Sequence, residues 1–210
     1  DISYLNNIQE VDRIQSNPGS NSIPHNTHVD GNFLITSYYR DGTVVHDITN
    51  PNNLIEVAHY DSSPLSGDGF QGCWGTYPFL PSGNIISSDI DYGSITKGRL
   101  LVYSRDFLQA CYLEGNVSDI SNSLPITNAT IEIINPNLTI QTNSDLAGNY
   151  MSGIANSSSY DIIFSAPGYL SDTINASFTN GNTTIVDAQL QALSSINISG
   201  TVVDINGNGI

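Results

Sequence analysis

Apolar and polar residues alternate in short runs along this chain, and turn-forming residues punctuate the runs. Phe33 to Tyr39 reads as one strand, Asp41-Gly42 as a tight turn, and Thr43 to Ile48 as the next strand. Asn50-Pro51-Asn52-Asn53 breaks the pattern, and Leu54 to Tyr60 resumes it as a third strand. Further on, Leu113 to Val117, Ala129 to Ile134, Leu138 to Thr142, Tyr160 to Ser165 and Thr183 to Leu190 are alternating runs separated by turn clusters. No segment long enough for a substantial helix places apolar residues at helical spacing. The fold class this predicts is all-β.

The runs are organised in repeats. Asp1 to Val11 returns as Asp47 to Val57, with six of eleven positions identical at an offset of 46 residues (47 − 1). Asp30 to Ile35 is echoed by Ser82 to Ser87 at an offset of 52 (82 − 30), the extra length falling at the polar loop Asp91 to Gly98. Three or four short strands in a unit of that length predict β-propeller blades. Residues 1–14 then read as the tail of one unit, 24–61 as a whole unit and 70–105 as another. Because a propeller needs at least about four blades, the N-terminal part is expected to be incomplete. The texture changes at Cys111, and Tyr112 to Leu193 predicts a small antiparallel β-sandwich. Ile196 to Asp204 resembles Cys111 to Asp119 at an offset of 85 (200 − 115), as though a second sandwich began there. The expected organisation is a partial propeller over 1–108, a sandwich over 111–193 and the first strands of another over 195–210, with both chain ends falling inside a module.

Charge narrows the function classes. Five Lys plus Arg stand against twenty Asp plus Glu in 210 residues, a net charge of −15. Such a surface repels phosphate backbones and anionic lipid, so nucleic acid is not an expected partner. No run approaches the apolar length of a membrane span, so no membrane insertion is expected. Lys97 is the only lysine, which removes most lysine-based chemistry. Charged residues are 12% of the chain while Asn, Ser, Thr and Gly abound, as in many secreted β-proteins. The two cysteines, Cys73 and Cys111, could pair in an oxidising compartment, closing a loop of about forty residues and stabilising the fold by roughly 3–4 kcal/mol. Two buried free thiols are the other reading.

Candidate chemistry is sparse. His25, His28 and Asp30 could converge on a metal, although His25 and His28, with His46 and His59, also suit hydrogen-bonded structural roles. Asp204-Ile205-Asn206-Gly207 fits the opening of a calcium loop, and equally an Asn-Gly hairpin turn. Asn143 to Asn149 reads first as a turn. The acidity is compatible with weak calcium binding, and no other cofactor is implied. Trp74, Tyr77 and Phe79 could form a sugar-stacking patch or a packed core. A ligand-binding reading requires Trp74, Tyr77, His25 and His28 to be exposed in one cleft. No nucleophile or phosphate-loop motif is present, and Glu56, Asp89 and Asp91 are scattered acids rather than a catalytic pair. Seven glycosylation acceptor patterns follow Cys111, at Asn116, Asn128, Asn137, Asn156, Asn175, Asn182 and Asn197, where strand propensity explains the same Ser and Thr residues.

Two resemblances sharpen the picture. Ile23 to His28, Thr36 to Gly42, Val45 to Pro51 and Gly72 to Asn84 resemble the C-terminal part of the choice-of-anchor B family, over about residues 1–105. That resemblance implies propeller blades in a secreted protein held at the cell surface. Gly115 to Asp119, Leu124 to Ile133, Thr142 to Tyr150 and Ala166 to Tyr169 resemble the carboxypeptidase-regulatory-like, transthyretin-like sandwich, which implies a non-catalytic spacer. The expected function is therefore a non-enzymatic structural or adhesive segment of a secreted or surface protein. Its expected partners are copies of itself, through strand pairing at Ile196 to Val203, or neighbouring modules and surface glycans. The alternative is a propeller module that binds a carbohydrate or a metal.

Overall fold

A computed structural model describes residues 5–90, 98–136, 138–194 and 199–209. Strands β1 (Pro24–Asp30), β2 (Phe33–Tyr38), β3 (Gly42–Asp47) and β4 (Ile55–Tyr60) form an antiparallel meander in sequence order. Gly31-Asn32 joins β1 to β2, and Asn50 to Asn53 occupies the connection before β4. The tight turn expected at Asp41-Gly42 is a 3₁₀ turn over Tyr39–Asp41, so Tyr39 leaves the strand assigned to it. Gly42 has φ 78°, and a Cβ there would stand 2.1 Å from the Tyr60 carbonyl oxygen. Only glycine fits where β3 starts this close to the end of β4.

Strands β5 (Cys73–Tyr77), β6 (Ile85–Asp89) and β7 (Arg99–Tyr103) make a second antiparallel meander. The two sheets meet at Ile35, Val45 and Ile85, with Phe33, Val57, Ala58, Tyr103 and Phe107 around them. That apolar cluster is small, and hydroxyl groups bridge the rest of the interface. Thr43 Oγ1 lies 2.6 Å from Ser87 Oγ, which in turn lies 2.9 Å from Thr76 Oγ1. Deeper still, the buried Asp89 carboxylate accepts from Arg99 at 2.6 Å and from Ser62 Oγ at 2.9 Å. These buried hydroxyls and this carboxylate are tolerated because they bond one another, and losing one partner would leave the other unsatisfied.

The remaining strands are β8 (Cys111–Asp119), β9 (Thr130–Asn135), β10 (Leu138–Asn143), β11 (Asn149–Ile154), β12 (Ser159–Ser165), β13 (Asp172–Ser177), β14 (Thr183–Ile185) and β15 (Ala188–Leu190). One sheet has the order β10-β9-β12-β13, and the other the order β11-β8-β14 with β15 also on β8. Between them lies an apolar core that includes Leu113, Val117, Ile131, Ile133, Ile162, Phe164 and Leu190. A purely antiparallel sandwich does not form, because β14 and β15 run parallel to β8. After β13 the chain crosses from one sheet to the other and re-enters beside β8, and a crossover of this kind delivers a parallel strand. At the break between β14 and β15, Asp187 Oδ1 accepts from Asn116 N at 2.9 Å, a side chain standing in for the ladder acceptor. Gly115 is required opposite it, since a Cβ there would meet the Val186 carbonyl oxygen at 1.9 Å.

The meander and the sandwich are joined by hydrogen bonds as well as by chain. Asp47, fully buried at the end of β3, accepts from Ala110 N at 2.7 Å and from Thr49 N at 2.8 Å. Asn53 Nδ2 donates to the Ser152 carbonyl at 2.8 Å. Ile55, Ala110 and Tyr112 form a buried cluster beside these bonds, and burial pushes the Tyr112 hydroxyl up to about 12. Beyond the sandwich, Val203 and Gly209 form an isolated antiparallel bridge, comparable to the Ser118–Pro125 bridge at the end of β8. The expected second copy begins partly at 196–198, which lie outside the described residues. No helix among the described residues is long and apolar enough to cross a membrane.

His46, on the face of the first sheet turned away from the second, is 1% exposed, and neither ring nitrogen has a partner among the described residues. Burial pushes its pKa down, with Glu56 pulling the other way and His59 adding to the depression. His59 is shifted up, chiefly by its contact with Glu56 and also by the Asp41 carbonyl. The two signs oppose. The His46 contribution is present above about pH 6.5, the unfolded histidine value, and is lost as pH falls through its depressed native value. The His59 contribution is present below about pH 6.5 and lost as pH rises through its raised native value. His46 is far more buried than His59, so the cost of charging it outweighs the opposing effect at His59. We expect the thermal midpoint to fall between about pH 7.5 and about pH 5.5, and to fall less in His46→Leu, as measured by circular dichroism melts at the two pH values.

Candidate functional site

β1 and β5 lie side by side at the edges of the two sheets, where Ser37 on β2 donates to the Trp74 carbonyl at 3.1 Å. Both strands are irregular, with register shifts between Pro24 and Asn26 and between Cys73 and Gly75. These shifts turn His25 and Trp74 outward, and Trp74 Nε1 donates to His25 Nε2 at 2.5 Å. An indole N–H can only donate, so that histidine nitrogen is the acceptor and a neutral ring carries its proton on Nδ1. His25 also meets the edge of Tyr39 at 5.3 Å, and Tyr39 meets Phe70 at 5.3 Å between centroids. A continuous row results: Phe70, Tyr39, His25, Trp74.

A second group stands farther along β1. His28 packs edge-on against Tyr77 at 6.3 Å and Phe79 at 5.7 Å, and those two rings are 5.5 Å apart. Trp74 is 48% exposed, Tyr77 46% and Phe70 65%. Of the four residues assigned to a ligand-binding reading, His25 thus accompanies Trp74 and His28 accompanies Tyr77, in two contact groups, and neither Trp74 nor Tyr77 is buried. Tyr39, Phe70 and Arg40 were not legible as members. Phe70 reaches Tyr39 from a loop, and no local pattern marks that pairing. Arg40 pins the loop, donating from Nη1 to the Ser66 carbonyl at 2.8 Å and from Nη2 to Gln71 Oε1 at 2.6 Å.

The expected metal groupings are taken apart by the same geometry. His25 is engaged by Trp74, His28 sits among aromatic rings, and Asp30 is paired with Arg105. Among the described residues no three His, Cys, Asp or Glu side chains are placed to hold a metal ion. At the expected calcium loop, Asp204 Oδ1 accepts from Asn206 N and Asn208 N, both at 2.8 Å, and Oδ2 accepts from Asn208 Nδ2. These bonds hold the Asp204 carboxyl below its usual range. Asp145 makes the same turn, accepting from Ala147 N and Asn149 N at 2.8 Å each. The carboxylates of both segments serve their own turns.

The disulfide reading is corrected: Cys73 and Cys111 are both free and buried. Cys73 belongs to the hydroxyl cluster between the meanders, 3.4 Å from Thr43 Oγ1, whereas Cys111 lies in the sandwich core, 3.8 Å from Ser157 Oγ. Burial pushes both thiols up, so neither is an activated nucleophile. Of the scattered acids, Asp89 is paired with Arg99, Glu56 contacts His59, and Asp91 lies outside the described residues. Of the acceptor asparagines, Asn116 is tied to Ala147 and Asn149 and Asn175 to Asp161. Asn128, Asn156 and Asn182 are exposed, while Asn137 and Asn197 lie outside the described residues.

No curated protein sequence matches the chain. Among solved structures, it is similar to GBS52, the minor pilin of the gram-positive pathogen Streptococcus agalactiae, at TM-score 0.36 and 12% identity, over 59% of this chain and 66% of that one. It is also similar to the Bacillus anthracis TIE protein, at TM-score 0.36 and 10% identity, over 84% of this chain and 40% of that one. The chain therefore spans less than half of the TIE structure. Residues 112–191, which run from β8 through β15, match the carboxypeptidase regulatory-like domain.

Proposed function

We propose that this chain is a non-enzymatic structural segment of a secreted or cell-surface protein, in which meander and sandwich act as one rigid spacer. The observation that carries this reading is the junction at Asp47, whose carboxylate accepts from the linker and from the turn after β3. A flexible tether would leave such backbone donors to water. Here Asn53–Ser152 and the Ile55–Ala110–Tyr112 cluster hold the sandwich to the sheet as well. The carboxypeptidase regulatory-like match supports a spacer, since the resemblance implies modules that are not catalytic.

On this reading the two meanders are consecutive blades of a propeller, in line with the resemblance to the choice-of-anchor B family. Supporting it is the outer face of the second sheet. Tyr77, Ile86, Leu100 and Val102 share that face by register, and Tyr77, Leu100 and Val102 are exposed. The opposite face of the same sheet already packs against a neighbouring meander, so a further blade would cover the exposed one in the same way. Strand pairing between chains extends the structural role to filaments or layers. Val202, Val203 and Ile205 are exposed beside a single β-bridge, which favours completion by a partner strand. A ligand-binding role is the second reading, favoured by the exposure of Trp74 beside His25 and of Tyr77 beside His28.

Three outcomes test these readings. Small-angle scattering of the chain fits one rigid particle, and Asp47→Ala, which strands two backbone donors, broadens the distance distribution and lowers stability by about 1–3 kcal/mol. The pair Leu100→Asp and Val102→Asp leaves the melting of this chain within about 0.5 kcal/mol, but destabilises a longer polypeptide that carries the preceding repeats, read by chemical denaturation of both. Electron microscopy of the natively secreted material reveals ordered filaments or sheets if strand pairing operates, whereas discrete particles confine the chain to one long surface protein.

A further inference from the structure

We infer that the aromatic row on β1, β5 and the loop before β5 is a binding shelf for a neutral oligosaccharide. The inference rests on the ligand-binding reading and names its ligand class. Exposed Phe70, His25 and Trp74 are linked in edge contact through the buried ring of Tyr39, and Tyr77 and Phe79 are exposed farther along the chain. Sugar rings present C–H faces to aromatic rings and hydroxyls to the polar groups around them, and a shelf of exposed Trp, Tyr and Phe with amide neighbours suits both. Asn26 and Gln71, adjacent in sequence to His25 and Phe70, are those neighbours: their amide oxygens accept from Ser37 and Arg40, which leaves the amide N–H groups to donate to sugar hydroxyls. The net charge of −15 disfavours anionic glycans.

The shelf is held in place before any ligand arrives. His25 accepts the Trp74 indole hydrogen, which fixes the ring while the residue stays about half exposed. Arg40 fastens both sides of the loop that carries Phe70, through the Ser66 carbonyl and Gln71. Its guanidinium lies against Gly69, where φ is 144° and a Cβ would stand 2.3 Å from Nη2. Any side chain at Gly69 would displace the arginine and free the loop. Aromatic side chains already ordered lose little entropy on binding, which favours affinity.

Trp74 is the only tryptophan in the chain, so its fluorescence reports on the shelf directly. The chain is titrated with neutral cello-, xylo-, manno- and chito-oligosaccharides, following emission and, in parallel, heat by calorimetry. The expected result is a saturable emission change with at least one of them. By calorimetry Trp74→Ala should weaken that ligand roughly tenfold or more, with Trp74→Phe close to the parent and Leu146→Asp, on the sandwich, unaffected. Circular dichroism establishes that each variant is folded, and Tyr77→Ala, which keeps the reporter, provides a second affinity change should Trp74→Ala not fold. No saturable response to any of the sugars overturns the inference, as does an affinity unchanged in both Trp74→Ala and Tyr77→Ala. An emission shift that follows protein concentration instead of sugar also overturns it and assigns the shelf to self-association. Scattering of the unliganded chain is independent of these outcomes, so failure here leaves the spacer reading standing.

Discussion

The buried carboxylate of Asp47 is the point through which the two halves of the molecule are coupled. It terminates β3 and accepts from the backbone N–H groups of Thr49 and Ala110. Ala110 precedes β8, and β8 is the central strand on which β11, β14 and β15 all pair. Together with the Asn53–Ser152 bond and the Ile55, Ala110 and Tyr112 cluster, this acceptor sets the direction in which the chain enters the sandwich. Without it the Ala110 N–H would be a buried donor with no partner, a cost that native structures rarely carry. The neighbouring cluster of Ile55, Ala110 and Tyr112 closes over the bond and excludes water from it.

The same economy of short side chains explains a composition low in charged residues and rich in Asn, Ser and Thr. Between the meanders the apolar contact is modest, and Thr43, Thr76 and Ser87 bridge the sheets by hydroxyl bonds. The sandwich instead relies on a broad apolar core. Much of the acidity also has a local use. Asp47, Asp61, Asp119, Asp145 and Asp204 each accept from the backbone N–H two residues ahead. A carboxylate doing this shapes a turn by mimicking a backbone acceptor. Asp204, which reads along the chain as the opening of a calcium loop, uses its carboxylate in this way to shape its own turn.

Trp74 and Tyr77 show how far local patterning reaches. Their neighbours in sequence mark strand β5, and the bulge at its start then turns Trp74 outward. A bulge shifts the side chains that follow it from one face to the other, so simple alternation misassigns them. The hydrogen bond to His25 and the approach of Phe70 to Tyr39 come from loops and edges that meet only in three dimensions.

What the sequence alone determined is everything that depends on neighbours a few residues apart: the all-β class, the runs that became β2 to β4, β9, β10 and β12, the turns at Asn50 to Asn53 and Asn143 to Asn149, and the texture change at Cys111. Strands β11 and β13 escaped because Asn149–Ile154 and Asp172–Ser177 interleave small and polar residues, and cross-strand partners rather than hydrophobic alternation define them. Only the tertiary structure decided that β14 and β15 run parallel to β8, that Cys73 and Cys111 lie in separate cores, and that Asp30 belongs to Arg105 rather than to His25 and His28. The physical reason is common to all three. Strand periodicity is a property of the local backbone, whereas pairing, crossover direction and side-chain company are set by which distant segments bury one another.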